Sequence, residues 1–228
     1  MTVMPDGTVL MLEENGRVEA ESGWAVRSTG SGLARLLDEG PTSTQRLLDS
    51  LQGHTGTTLA HAAGDDLGIV ALGDATGAVR TFGDHADCVL LHDGPVSALA
   101  ALNIPLDGDV TVPLFYSGGA DGTVRAWSPG SAPMSAPVLQ QPFPVVSLDA
   151  AFTENGPAIV AAWGDSTVEC IYWDTGVQQT FRPGSPVRAV ALDEKGRVLI
   201  GMDEALTCLI PQQPSNDGDA VQQRTPVD

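Results

Sequence analysis

The sequence predicts an all-β fold assembled from repeated units of short strands. Three observations carry that expectation. First, the stretch Tyr116–Gly130, YSGGADGTVRAWSPG, reads as a hairpin. Val112, Leu114, Phe115 and Tyr116 lead in, Asp121-Gly122 supplies a turn tolerant of positive φ, and Thr123–Trp127 returns with β-branched and aromatic residues. Second, the same signature recurs at Gly73–Phe82, Gly164–Ile171 and Met202–Leu209, a period of roughly 38 to 45 residues. Third, Gly (26) and Pro (16) are frequent, which a turn-rich β fold requires.

The copies align on Val124, with Val79, Val168 and Leu206 beneath it. Phe82 and Ile171 then fall under Trp127, and Asp165 and Asp203 under Asp121, while Thr76 stands at the Asp position of the first copy. Asp6-Gly7-Thr8-Val9 repeats Asp121-Gly122-Thr123-Val124 letter for letter. A second signature keeps the same period. His92-Asp93-Gly94-Pro95-Val96 opens the strand Val96–Leu102, Gly53-His54 precedes the first copy, and Pro142–Val146 and Pro183–Val187 hold the equivalent slots. Each unit reads as four short strands, the pattern of propeller blades.

On these residues the chain resembles the WD40-repeat β-propeller family over roughly residues 45–211. The resemblance implies a WD40-like propeller of four recognisable blades, plus an N-terminal hairpin that completes a fifth or leaves an open ring. It also implies a structural hydrogen-bond tetrad of His92, Ser117, Asp121 and Trp127, in which a buried His links the turn Asp, the strand Ser and the Trp indole. Only this unit carries the full set. The first keeps Gly53-His54, and the third and fourth keep Asp165 and Asp203 without the His or the Trp.

Taken in order, residues 1–40 read as a hairpin and a short helix. Thr8–Leu12 and Arg17–Ala20 flank the turn Glu14-Asn15-Gly16, and Leu33, Leu36 and Leu37 have helical spacing over residues 31–39 behind the cap Ser31. Thr44–Gln52 also reads as helical, but Gly53-His54 makes Arg46–Leu51 the strand before a propeller loop. Residues 41–211 are the blades, in units of about 45–83, 84–128, 131–174 and 177–211, with Asn103–Asp109 a longer loop. Residues 212–228 hold almost no apolar side chains and read as a disordered tail. An open ring would expose sheet faces, so closure by a partner propeller or by a second copy of the chain is expected.

The net charge of −18 disfavours nucleic acid and anionic membranes and suits a basic protein partner. The N-terminus shows no signal peptide, and no window has the apolar length of a membrane span. Three widely spaced cysteines, Cys88, Cys170 and Cys208, argue against a disulfide framework. Cys170 and Cys208 share a repeat position and read as small core fillers. The expectation is a cytoplasmic protein.

No catalytic or cofactor motif is found, and no cofactor or metal is expected. The pairs His54–His61 and His85–His92 share a spacing of seven, but the repeat already accounts for His54 and His92. Asp107–Asp109 and Asn216–Asp219 lack the further ligands of a calcium loop and read as solvated turns. The recurring Asp74, Asp121, Asp165 and Asp203 read as acceptors for their own turns.

Three functions follow. The first is a non-catalytic protein–protein interaction scaffold, binding through a rim around Asp93, Ala120, Gly164 and Asp203. The second rests on about 40 N-terminal residues that resemble the end of SUKH-type toxin-immunity proteins, which neutralise a partner by binding it. The third is an enzyme or accessory enzyme using the propeller channel, against which the inner-strand Ala98, Ala100, Ala101, Ala189 and Ala191 speak by filling that channel with small apolar groups.

Overall fold

A computed structural model describes residues 42–63, 68–106 and 110–210, together with five short strands nearer the N-terminus. The chain is all-β with one helix among the described residues. Strands β1 (Thr2–Val3), β2 (Val9–Leu12) and β3 (Val18–Glu21) form an antiparallel sheet in that order. Strands β4 (Val26–Arg27) and β5 (Arg35–Leu36) pair with each other. Arg35–Leu36 is thus a strand where helical spacing was read over residues 31–39. The rest of that segment, the turn Glu14–Gly16, Asp107–Asp109 and residues 212–228 lie outside the described residues.

Helix α1 (Thr42–Leu51) replaces the strand expected over Arg46–Leu51. Leu47 and Leu51, one turn apart, are both buried, which is the helical solution for covering an apolar surface. Gly53 has φ +81° and closes the helix, with the N–H of His54 donating to the carbonyl of Leu51. The Gly-His pair is therefore a helix terminus here.

Four antiparallel sheets follow, each running in chain order from its first strand outward. The first comprises β6 (Thr58–Ala62), β7 (Ile69–Gly73), β8 (Ala78–Gly83) and β9 (Asp87–Leu90). The second comprises β10 (Val96–Pro105), β11 (Thr111–Gly119), β12 (Thr123–Trp127) and β13 (Leu139–Gln140). The third comprises β14 (Val145–Thr153), β15 (Gly156–Trp163), β16 (Val168–Tyr172) and β17 (Val177–Phe181). The fourth has three described strands, β18 (Val187–Leu192), β19 (Val198–Met202) and β20 (Leu206–Leu209).

The sheet boundaries differ from the units read in the sequence. Asp87–Leu90 bonds back to β8, so the segment that opens one sequence repeat is the outer strand of the preceding sheet. The expected loop Asn103–Asp109 also starts late, because β10 stays paired with β11 as far as Pro105.

The hydrophobic core lies between successive sheets. Val79, Val96, Leu99, Phe115 and Trp127 fill the space between the first and second. Ala98, Tyr116, Val124, Val145 and Trp163 fill the next, and Val160, Val168, Cys170, Val190 and Ile200 the last. The neighbouring first strands β6, β10, β14 and β18 approach one another in series, and β1 adjoins β6. Ala98, Ala100 and Ala101 belong to these inter-sheet layers, while Ala189 and Ala191 are exposed.

Polar groups stitch the same junctions. Ser97 donates to the carbonyl of Val145 at 2.6 Å. The N–H groups of Val190 and Leu192 on β18 donate to Ser147 Oγ at 3.0 Å and Asp149 Oδ2 at 2.8 Å on β14. Burial raises the Asp149 carboxyl above its ordinary value despite these bonds.

Each junction has a seat. A Cβ built on Gly73 would lie 2.7 Å from Val96 Cβ, and one on Gly118 would lie 2.4 Å from Val145 Cγ1. At these two junctions the first residue of the following sheet occupies the space a side chain would need. Among the described residues no helix is long and apolar enough to cross a membrane.

Gly118→Ala should overpack this seat, because the stiff β-branched Val145 cannot swing away. Chemical denaturation is expected to show a loss of about 1–3 kcal/mol. Gly164→Ala, whose added Cβ would meet nothing closer than 3.7 Å, should stay within about 0.5 kcal/mol of the parent.

Candidate functional site

The polar cluster at the start of the second sheet is built by three elements. The segment before β10 supplies His92, β11 supplies Ser117, and the β11–β12 turn supplies Asp121. His92 Nδ1 lies 3.1 Å from Asp121 Oδ1, and Nε2 lies 2.8 Å from Ser117 Oγ. An ionised carboxylate only accepts, so Nδ1 carries the proton and donates to Asp121, leaving Nε2 to accept from the Ser117 hydroxyl. Thr123 joins the cluster through N–H and O–H donors to Asp121 Oδ1 at 3.0 and 2.8 Å, and the Asp93 N–H donates to Asp121 Oδ2 at 3.0 Å.

Trp127 stands apart from this network. Its indole N–H donates to the Ser131 carbonyl at 3.2 Å, and its ring packs toward the first sheet beside Phe115 at 6.3 Å between centroids. The expected link from the His to the Trp is absent: Trp127 shares the sheet face of Ser117, paired across from Phe115, but turns its indole N–H to the Ser131 carbonyl. Trp163, which the sequence reading passed over, is fully buried and donates to the carbonyl of Gly122 at 3.1 Å, holding the turn from the third sheet.

The order Ser–His–Asp matches that of a nucleophilic triad, but access decides against that chemistry. Ser117 is 1% exposed and His92 4% exposed, so no acyl group can reach the hydroxyl. A Cβ on the adjacent Gly119 would lie 2.3 Å from His92 Nδ1, so the imidazole is packed tightly against the backbone. The cluster fixes a turn and a sheet end.

Burial pushes the His92 imidazole below its ordinary value, against the pull of the Asp121 carboxylate. Burial also pushes the Asp121 carboxyl up, but the bonds from Thr123 and Asp93 outweigh it and hold the group below the usual carboxylate range. The sulfur of Cys170 is fully buried and its pKa is pushed up to about 11 by that burial. Cys208, expected as a matching core filler, is exposed because no described sheet covers its face.

The expected rim residues are all exposed and sit at the ends of their sheets. The Ala120 N–H donates to the Pro95 carbonyl and the Gly164 N–H to the Pro144 carbonyl, each at 2.9 Å. The turns also bond to the next sheet: the Val96 N–H reaches the Asp74 carbonyl, and the Trp163 indole N–H the Gly122 carbonyl. Asp74 and Asp165 accept from the N–H and hydroxyl groups of Thr76 and Thr167 in their own turns. Asp203 departs from that pattern and pairs with Arg188 at 2.7 Å. Ser166 occupies the turn position of Gly122 with φ +69°, a conformation that favours glycine.

The other units replace the His92 cluster with different contacts. His54 packs against Phe82 in a tilted contact at 5.1 Å between centroids, and the buried Glu169 accepts from Gln141 Nε2 at 2.7 Å. A cavity of about 470 Å³ lies between the end of β17 and strands β19 and β20, lined by Phe181, Arg182, Ile200, Met202, Thr207 and Leu209. It opens where β17 has no fourth strand of the last sheet opposite it among the described residues. Among the described residues no three His, Cys, Asp or Glu side chains come together to hold a metal ion.

No protein-family model and no curated protein matches the chain. Among solved structures, the crystal structure of the computationally designed Ika4 protein is similar, with a TM-score of 0.51 at 22% sequence identity. The match covers 70% of this chain and 95% of that one, and it speaks to the fold alone. Matching solved chains number 674, so the arrangement by itself selects no activity.

His92 is held neutral in the fold, while in the unfolded chain it titrates near its ordinary value of about 6.5. Its stabilising share is therefore complete above that pH and is lost as pH falls through the lower folded value. Thermal unfolding should show stability declining from pH 7 toward pH 5. His92→Gln should cost about 1–3 kcal/mol at pH 7 and flatten that decline. Ser166→Gly should raise stability by about 1 kcal/mol by relieving the left-handed backbone.

Proposed function

We propose that the sheets are blades of a WD40-like β-propeller and that the chain is a non-catalytic protein–protein interaction scaffold. The observation that carries this reading is the rim. The turns around Asp93, Ala120 and Gly164 are exposed, yet each is held by backbone or carboxylate bonds to its own sheet. Bonds from Val96 and Trp163 tie the rim from one sheet to the next. Loops fixed in this way bind with little ordering cost, which is the general advantage of a preorganised surface.

Two further features support the blade reading. Each of the four sheets from β6 onward runs outward from its first strand, and these first strands are neighbours in series. The His92–Ser117–Asp121 bonds also fit the WD40 resemblance, apart from the Trp127 indole.

The partner suited to this rim is a protein with a basic surface, given a net charge of −18 and carboxylates at Asp93 and Asp165 around the turns. The immunity-protein alternative rests on N-terminal residues whose side chains lie outside the described part of the chain.

The test is purification of the tagged chain from its own host at low salt, followed by Asp93→Lys, Ala120→Lys and Gly164→Lys. The reading predicts a stoichiometric protein that is lost from at least one variant while the melting temperature holds. Retention of that protein by all three variants would contradict a binding role for the rim.

A further inference from the structure

The described sheets are built from like faces, and one of those faces is left open. In the third sheet, Cys170 pairs across from Val160 and Val168 across from Ala162. In the last sheet, Cys208 pairs across from Leu199 and Leu206 across from Gly201, in the same register. The face of the third sheet that carries Val168 and Cys170 is covered by the last sheet. Val79, Val124 and Val168, the residues aligned with Leu206, are each 0% exposed, whereas Leu206 is 71% exposed. Ile210, two residues beyond Cys208 as Tyr172 is beyond Cys170, is 75% exposed against 2% for Tyr172.

The seat is present as well. Gly201 stands where Gly73, Gly118 and Ala162 stand, each opposite the first strand of its own sheet. Val96 and Val145 crowd the first two, but a Cβ on Gly201 would meet nothing closer than 3.6 Å, and what it meets is its own sheet's Ala189. Ala189 and Ala191 on the same sheet are exposed, and the charge at its border is an Arg188–Asp203 pair that is internally neutralised.

We propose that this face of the last sheet is an interface with a second copy of the chain. A series of like sheets ends in two unlike faces, one of the kind that seats the next sheet and one of the kind that is seated. The described series runs from β1 through β6, β10 and β14 to β18, and its last face is left uncovered by the described sheets. A second copy carries the complementary end by construction. Two copies related by a two-fold axis cover both ends at once and form a closed assembly. The contact would continue the interface already made three times within the chain: an apolar sheet face covered by another sheet, with a small residue receiving the incoming strand. It lies on a sheet face and is separate from the rim, so rim variants leave it intact.

Sedimentation velocity of the purified full chain over a concentration series, combined with thiol labelling, tests this. Cys88 is exposed on β9 and serves as the reference thiol, and Cys208 reports the proposed interface. The expected result is a mass of two chains, with Cys208 labelling far more slowly than Cys88. Leu206→Glu should weaken association by roughly 30-fold or more and bring Cys208 labelling up to the Cys88 rate, with circular dichroism unchanged. Ile210→Glu is the second variant should the first fail to fold. A single-chain mass at every concentration would overturn the proposal. If Cys208 were protected in that monomer, the chain's own residues would be the cover. A dimer whose mass and Cys208 labelling are untouched by the folded variant would also overturn it.

Discussion

None of the four sheets from β6 to β20 encloses a core of its own among the described residues. A twisted sheet of three or four short strands has two faces, and the apolar side chains on each must leave water against something else. Here that something is the next sheet, so each apolar layer is shared property of two sequence repeats. The repeat period follows from this, because every unit must present one face that receives and one that inserts. The close approach of sheets also sets residue size at the junctions. Gly73 and Gly118 have no side chain because Val96 and Val145 occupy that volume, while the Ala162 junction accepts a methyl group.

The polar chemistry serves the same junctions. His92, Ser117 and Asp121 join the entry to β10, the end of β11 and the following turn, with every buried donor and acceptor of the imidazole satisfied. The other sheets reach comparable ends with an aromatic contact at His54, a Glu169–Gln141 bond and an exposed Arg188–Asp203 pair. A junction needs its polar groups paired and its volume filled, and several side-chain sets meet that need. This explains why the sequence signature decays from one complete copy to partial ones without loss of the sheet.

Much of the strand pattern was legible, since β-branched runs and Asp-containing turns are local signals. The turn roles of Asp121 and Asp165 were readable for that reason. Asp203 was not, because its partner Arg188 lies across the sheet and leaves no local trace. Helix α1 was misread because Gly53-His54 looks the same whether the glycine ends a helix or opens a strand, and only the burial of Leu47 with Leu51 separates the two. Cys170 and Cys208 share a repeat position but differ in what lies on top of them, which depends on a neighbouring sheet rather than on sequence. The indole of Trp127 lies on the expected face, but its N–H goes to the Ser131 carbonyl in the segment after its strand, a contact the repeat pattern does not reveal.

The most direct test of mutual dependence between sheets is a double-mutant cycle on the pair Gly118 and Val145. If the junction is set by Val145 filling the space above Gly118, Val145→Ala should open room for the methyl group of Gly118→Ala. The pair should then show a favourable coupling of about 1 kcal/mol or more in chemical denaturation. Effects that simply add, within about 0.3 kcal/mol, would mean that the two residues do not share that space and would contradict the account.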